Sequence, residues 1–270
     1  MARRTLIQLL TTLVYNGNLS GFWQGKIYQG ATKRACLPGL NCYSCPGALG
    51  ACPIGSLQSS LAGTILRFPF YVLGLLLIFG LLCGRMICGW FCPFGFFQDL
   101  LHKIPSPKIA KNNFTKRLTA LKYFIALLFV IVLPIGYYLT IGVGVPTFCK
   151  FICPAGTLEA GLPLTLANPA LRSGLGGLFV WKVLLLALLV VTAVVIYRPF
   201  CRFICPLGAW YSLYNKLAKY GITVDEAKCI HCQACIKTCQ MDCTVVGDRE
   251  CINCGKCRQV CPTQAIHFKK

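Results

Sequence analysis

Four copies of Cys-Pro-x-Gly punctuate this chain, at Cys52-Pro53-Ile54-Gly55, Cys92-Pro93-Phe94-Gly95, Cys153-Pro154-Ala155-Gly156 and Cys205-Pro206-Leu207-Gly208. Three of them carry another cysteine four residues upstream, at Cys88, Cys149 and Cys201, and close a hydrophobic segment long enough to cross a bilayer. The proline cannot continue a helix through the cysteine before it, so it turns the chain around whatever the thiolates hold, and the glycine permits close backbone approach. A C-x3-C pair offers two thiolates about one helical turn apart, and two pairs complete a four-thiolate set. The repeat therefore constrains the fold to apolar helices whose ends meet in pairs.

A second pattern lies near the C-terminus, where Cys229-x2-Cys232-x2-Cys235-x3-Cys239 and Cys251-x2-Cys254-x2-Cys257-x3-Cys261-Pro262 have the spacing of a bacterial ferredoxin with two 4Fe-4S clusters. The fourth cysteine of each run ligates across. Cys229, Cys232, Cys235 and Cys261 are thus expected on one cluster, and Cys251, Cys254, Cys257 and Cys239 on the other. Gln240 stands where a proline usually follows, and Cys243 is surplus, either a substitute for Cys239 or an ordinary buried thiol.

Hydrophobic residues make up 56% of the chain and charged ones 13%, against roughly 25% charged in a soluble domain. Twenty cysteines would suit a secreted disulfide scaffold, but such scaffolds are small and lack apolar spans. The formal net charge of +20 would suggest a nucleic-acid partner in a soluble protein. Here the lysines and arginines gather between apolar segments, as topology signals and lipid-headgroup contacts, so no nucleic acid is expected.

About 20 apolar residues cross the hydrocarbon core. Leu61–Leu82, Leu118–Val143 and Leu178–Tyr197 meet that length, and Thr5–Trp23 is a fourth, interrupted by Gln8, Asn16, Asn18 and Ser20. A cleaved signal peptide is the competing reading of that first segment, but no small-residue cleavage pattern follows it. Lys103, Lys108, Lys111, Lys116 and Arg117 crowd one loop, which the positive-inside rule puts in the cytoplasm with both termini. The expected fold is an all-α membrane bundle of about four transmembrane helices over residues 1–215, followed by an α+β bacterial-type two-cluster ferredoxin domain over residues 216–270. It would sit in the cytoplasmic membrane as a multi-pass protein, with the ferredoxin domain in the cytoplasm.

This topology sorts the cysteines by face. Cys88, Cys92, Cys201 and Cys205 form a complete inner-face set, with Cys83 nearby. Cys42, Cys45, Cys52, Cys149 and Cys153 are candidates for an outer-face cluster, with Cys36 as spare or alternative. Zinc competes for any isolated pair; four repeats beside a ferredoxin-like tail favour iron-sulfur chemistry. One or two clusters in the helical region, two in the tail and a path near 30 Å between faces imply that a quinone, a partner's flavin or another cofactor bridges the gap.

Gln58, Gln98, Glu159 and Tyr211 each lie six residues after the cysteine of a Cys-Pro-x-Gly, and read as helix-surface groups at the interface rather than proton carriers. Arg67, Lys122 and Lys182 fall near span ends and are expected to snorkel to headgroups. His102, His231 and His267 do not form a haem set, and Cys-x-x-Cys-His is absent.

The stretch from Cys36 to Cys52, Cys88-Gly-Trp-Phe-Cys-Pro-Phe-Gly and the later C-x3-C-P copies resemble the membrane polyferredoxin family, which includes the quinol-dehydrogenase membrane subunit of periplasmic nitrate reductase and the C-terminal half of the nitrous-oxide reductase regulator. The resemblance implies an electron-transfer subunit of an oxidoreductase complex, of anaerobic type, moving electrons between the quinone pool or a cytoplasmic donor and a redox partner on the outer face. The alternative is an assembly or regulatory factor that supplies electrons for metalloenzyme maturation. A metal transporter is disfavoured, because the apolar segments lack carboxylate or His ligands at mid-depth.

Overall fold

The computed structural model describes residues 2–64, 68–109 and 111–269. Helix α1 (Ala2–Tyr15) is followed by a long, mostly irregular segment that carries the first cysteines. Each Cys-Pro-x-Gly then opens a helix, its proline in the first turn where the missing N–H costs nothing. These are α2 (Pro53–Leu61), α4 (Pro93–Leu101), the short helix Pro154–Gly156 that runs into a π turn at Thr157–Gly161, and α7 (Pro206–Tyr214). Between α2 and α4 runs the apolar helix α3 (Phe70–Cys83), and the later repeats are linked by α5 (Asn113–Ile141) and α6 (Gly177–Val195). In the tail, strands β1 (Ile222–Val224) and β2 (Ile266–Phe268) pair antiparallel, Ile222 opposite Phe268.

Among the described residues two helices, α5 and α6, are long and apolar enough to cross a membrane; at 1.5 Å per residue they measure about 43 and 28 Å. The expected span Leu61–Leu82 is broken: residues 62–64 and 68–69 leave the helix, and α3 is 14 residues long. Arg67 lies outside the described residues. Thr5–Trp23 is also broken, into α1 and Ser20–Gln24.

Helix α5 starts at a capping box, in which Asn112 Oδ1 accepts from the Thr115 amide at 2.8 Å and Thr115 Oγ1 accepts from the Asn112 amide at 3.0 Å. It stops at Gly142, whose φ of +77° a β-carbon would disfavour. Its middle, Ala126–Val132, is wound as a π-helix, and Leu133 N–H bonds back to the Leu128 carbonyl. Pro134 has no N–H to offer the next carbonyl, Phe129. That orphan is taken by two side chains from different repeats, Gln58 Nε2 at 2.7 Å and Thr147 Oγ1 at 2.5 Å. One proline thus creates the point on α5 where the first and third repeats dock.

The tail is seated on the helical region by buried charge. Glu250 accepts from Arg85 and from Lys122, and Asp242 pairs with Arg202 and accepts from Thr115 Oγ1 at 2.8 Å. Lys122 is fully buried, so it does not snorkel as expected; its ammonium is held by a carboxylate of the tail. Gly89 packs so tightly on the tail that a β-carbon there would come 2.1 Å from the Ile252 carbonyl. Beside it, the Trp90 indole N–H donates to the Asn253 carbonyl at 2.9 Å.

Candidate iron-sulfur centres

The four repeats assemble as two crossed pairs, second with fourth and first with third. Cys88, Cys92, Cys201 and Cys205 are buried and close enough together for their charges to interact. Each second cysteine N-caps the helix it opens and accepts from the glycine N–H of its own motif, Gly95 to Cys92 and Gly208 to Cys205, both at 3.4 Å. Cys52 and Cys153 likewise N-cap the helices they open, but without a side-chain cap hydrogen bond.

Three residues before the first cysteine of the second and fourth repeats stand Arg85 and Arg198, both fully buried. They exchange partners: Arg85 Nη2 donates to the Cys201 carbonyl at 3.0 Å, and Arg198 Nη1 to the Cys88 carbonyl at 2.5 Å. A buried guanidinium needs a counter-charge. Glu250 serves Arg85, and Asp99 serves Arg198 through both oxygens at 2.6 Å. Burial alone would raise the Asp99 carboxyl, but the guanidinium of Arg198, with Arg4, holds it well below the usual range. Sequence reasoning missed this pair, although Arg-x2-Cys-x3-Cys-Pro occurs twice.

Cys42, Cys52, Cys149 and Cys153 line one cavity of about 300 Å³. Of the five candidates expected at the outer face, Cys45 is absent from its walls; its thiol turns to Asn16 Oδ1 at 3.5 Å. Cys36 points to Ser56 Oγ at 3.3 Å. Lys182 lines this cavity and donates to the Cys149 carbonyl at 3.1 Å, instead of reaching for a headgroup.

The recurrent polar residues are not surface groups. Gln58 Oε1 accepts from the Cys149 amide at 3.0 Å, and Glu159 accepts from the Cys42 amide at 2.6 Å. Gln98 donates to Cys201 Sγ at 3.1 Å while accepting from the Phe200 amide at 3.1 Å. Tyr211 donates to the Pro38 carbonyl at 2.9 Å. Three of these bind the cysteine segment of the repeat opposite; Tyr211 instead reaches the loop before Cys42. Burial pushes the Glu159 carboxyl up to about 8.

The two sets are neighbours, not ends of a 30 Å path. The Lys122 level of α5 adjoins Arg85, and the Phe129 level holds Gln58 and Thr147; seven residues of helix separate them by about 10 Å. The fully buried Tyr211 interacts electrostatically with cysteines of both sets, Cys88 and Cys92 of one and Cys52 of the other. The expected bridging quinone or flavin therefore has no gap to fill between them.

In the tail, Cys229, Cys232, Cys235 and Cys261 line a cavity of about 600 Å³. Cys239, Cys251, Cys254 and Cys257 line a smaller one of about 30 Å³, with the buried Cys243 among them. Cys243 interacts with both Cys239 and Cys251, so it belongs to this group rather than standing apart. Among the described residues no three His, Cys, Asp or Glu side chains converge tightly enough for a single metal ion. Clusters fit better: thiols ring cavities, glycine amides point at sulfur, and the buried Arg85 Nε lacks any acceptor among the described residues.

Paired cysteine cassettes on a ferredoxin-like tail define an iron-sulfur protein of the electron-carrying kind. Residues 64–112, 123–162 and 178–222 match one family of 4Fe-4S binding domain, and residues 245–267 match a second of the same description. The chain belongs to the polyferredoxin family. It is similar to an uncharacterized protein of Methanocaldococcus jannaschii, with 26% identity over 71% of this chain and 67% of the relative. It is also similar to the methylamine utilization ferredoxin-type protein MauN of Paracoccus denitrificans, with 26% identity over 83% of this chain and 69% of MauN. The regulatory protein NosR of Pseudomonas aeruginosa is 27% identical over 60% of this chain, a match covering 21% of NosR. No solved structure matches.

Proposed function

We propose that this chain is a membrane electron relay of four 4Fe-4S clusters, exchanging electrons between the quinone pool or a cytoplasmic donor at its tail and a redox protein on the outer face. The carrying observation is the unbroken succession of cysteine sets. Cys229/Cys232/Cys235/Cys261 leads to Cys239/Cys251/Cys254/Cys257, then across the Ile252–Gly89 contact to Cys88/Cys92/Cys201/Cys205, and past Tyr211 to Cys42/Cys52/Cys149/Cys153. When bound, the clusters supply one-electron carriers; the chain supplies thiolates, amide donors to sulfur, and a dry interior.

Membrane location is supported by the outward faces of the long helices. Phe124, Leu127 and Ile131 on α5, and Leu184, Leu188 and Val191 on α6, are exposed apolar stripes too extensive for water. The basic loop Lys103–Arg117 supports a cytoplasmic position for this side. Because the first and third repeats dock at mid-height on α5, the last cluster would lie within the bilayer's depth, reached from outside through its cavity. A maturation factor would use the same relay, and sustained steady-state flux separates the two readings.

Anaerobic purification with iron and sulfide quantified tests the relay: about 16 iron atoms per chain are expected, four per cluster. Iron near half that amount, confined to the tail, would remove both helical centres.

A further inference from the structure

A cavity of about 740 Å³ lies where α1, α4 and the tail meet, and Cys254 lines both it and the second tail set. Its walls include Trp90 and Phe268, whose rings meet edge to face at 6.3 Å. Four cations, Arg3, Lys103, Lys256 and Arg258, also line it, and none makes an ion pair among the described residues. The single carboxylate in the lining, Asp99, is already saturated by Arg4, Arg198 and Gln8.

Like charges gathered around a concavity repel one another and focus a positive potential into it, which an anion relieves. The volume is that of a small-molecule site. Lys256 also donates to Gln240 and lies over the Tyr197 ring at 5.1 Å, but a neutral quinone would leave Arg3, Lys103 and Arg258 without a counter-charge. We propose that this cavity binds a phosphate-bearing aromatic redox carrier of the flavin mononucleotide class. The phosphate would meet the cations, and the ring would lie against Trp90 and Phe268 beside the Cys254 centre. The inference rests on the relay reading, since that centre is the ring's exchange partner. A reduced ring there passes two electrons singly, each reducing one oxidised cluster, and its two protons leave to water through the exposed side of the cavity.

The test uses full-length, cluster-loaded protein in phosphatidylcholine nanodiscs, titrated anaerobically with flavin mononucleotide, riboflavin and inorganic phosphate while flavin fluorescence is read. Flavin mononucleotide should bind with quenching, at least about tenfold tighter than riboflavin. The double variant Lys103→Ala/Arg258→Ala should abolish that preference while leaving riboflavin binding and the cluster spectrum unchanged. Trp90→Leu should weaken both flavins. Equal binding of the two flavins, or a preference that survives the double variant, overturns the proposal. So does displacement of flavin mononucleotide by phosphatidylglycerol in the disc, which marks a headgroup site, or by phosphate at matching concentration, which marks a plain anion site. Cluster content measured on the same samples separates these failures from failure of the relay.

Discussion

The second and fourth repeats enclose their cysteines with Arg85 and Arg198, and Gln98 donates to a sulfur. At the corresponding positions of the first and third repeats stand Cys45 and Pro146, and both Gln58 and Glu159 spend their polar groups on backbone amides. Each set offers four thiols, so ligand type cannot distinguish the two centres. What differs is the field around them. One set is sealed, crossed by guanidinium groups that keep their charge at any ordinary pH, and tied to the tail. The other faces a cavity of about 300 Å³ beside a carboxyl and a lysine. Donors and positive charge near a cluster favour its more negative, reduced state, so the sealed centre should have the higher potential.

The largest expected effect tests whether the pairs are real. Cys92→Ala and Cys205→Ala should each remove one and the same cluster signal in electron paramagnetic resonance, and the double variant should lose no more than either single, because a site missing one thiolate already holds its cubane poorly. Cys52→Ala and Cys153→Ala should remove a different signal. Independent loss in Cys92→Ala and Cys205→Ala would dissolve the pairing.

Next in size is the cost of breaking the buried charge. Arg198→Ala leaves Asp99 enclosed with Arg4 and Gln8 and should destabilise by about 3 kcal/mol, the lower end for removal of one partner of a buried pair, because one cation remains. Lys182→Ala loses one bond to a backbone carbonyl, worth about 1 kcal/mol. Thermal unfolding followed by cluster absorbance reads both, and similar losses would mean that the two sets are equally supported.

A subtler contrast concerns potential alone. Gln98→Met removes a donor to Cys201 Sγ and should lower the potential of the sealed centre on the order of 60 mV, the one-electron equivalent of a charge-assisted bond worth about 1.4 kcal/mol. Gln58→Met is the control. It strips two backbone partners of comparable geometry but touches no sulfur, so it should cost stability without that shift. Equal shifts in redox titration would make the effect one of packing.

Ligand spacing was legible in the sequence because C-x2-C and C-x3-C are local demands on a short stretch of backbone. Helices α5 and α6 were legible as uninterrupted apolar runs. The break after Leu61 was passed over although Gly63 and Pro69 signal it, and what fixes its place is the tertiary docking of α2 on the Phe129 carbonyl and at the Gly63–Gly144 bridge. Recurrence of Gln58, Gln98, Glu159 and Tyr211 was visible, but their targets lie 71 to 173 residues away in sequence, beyond any periodicity. The twin arginines were visible too. Their meaning needed the partner exchange, which only the fold supplies.

The smallest expected effect is a difference between neighbours in the first cysteine loop. Cys42 and Cys45 have the two-residue spacing of ligand partners, and spacing alone cannot choose between them. The fold chooses: Cys42 faces Cys52, Cys149 and Cys153 across the cavity, while Cys45 is buried with its thiol toward Asn16. Cys45→Ser should therefore keep the iron content and the signal of the first-and-third-repeat centre, at a stability change within about 1 kcal/mol, because a hydroxyl of similar size can still meet the Asn16 carbonyl oxygen. Cys42→Ser should lose about four iron atoms. If Cys45→Ser also loses them, the loop must rearrange on loading so that both thiols face the metal, and the contrast between a sealed and an open centre would have to be drawn from the loaded form instead.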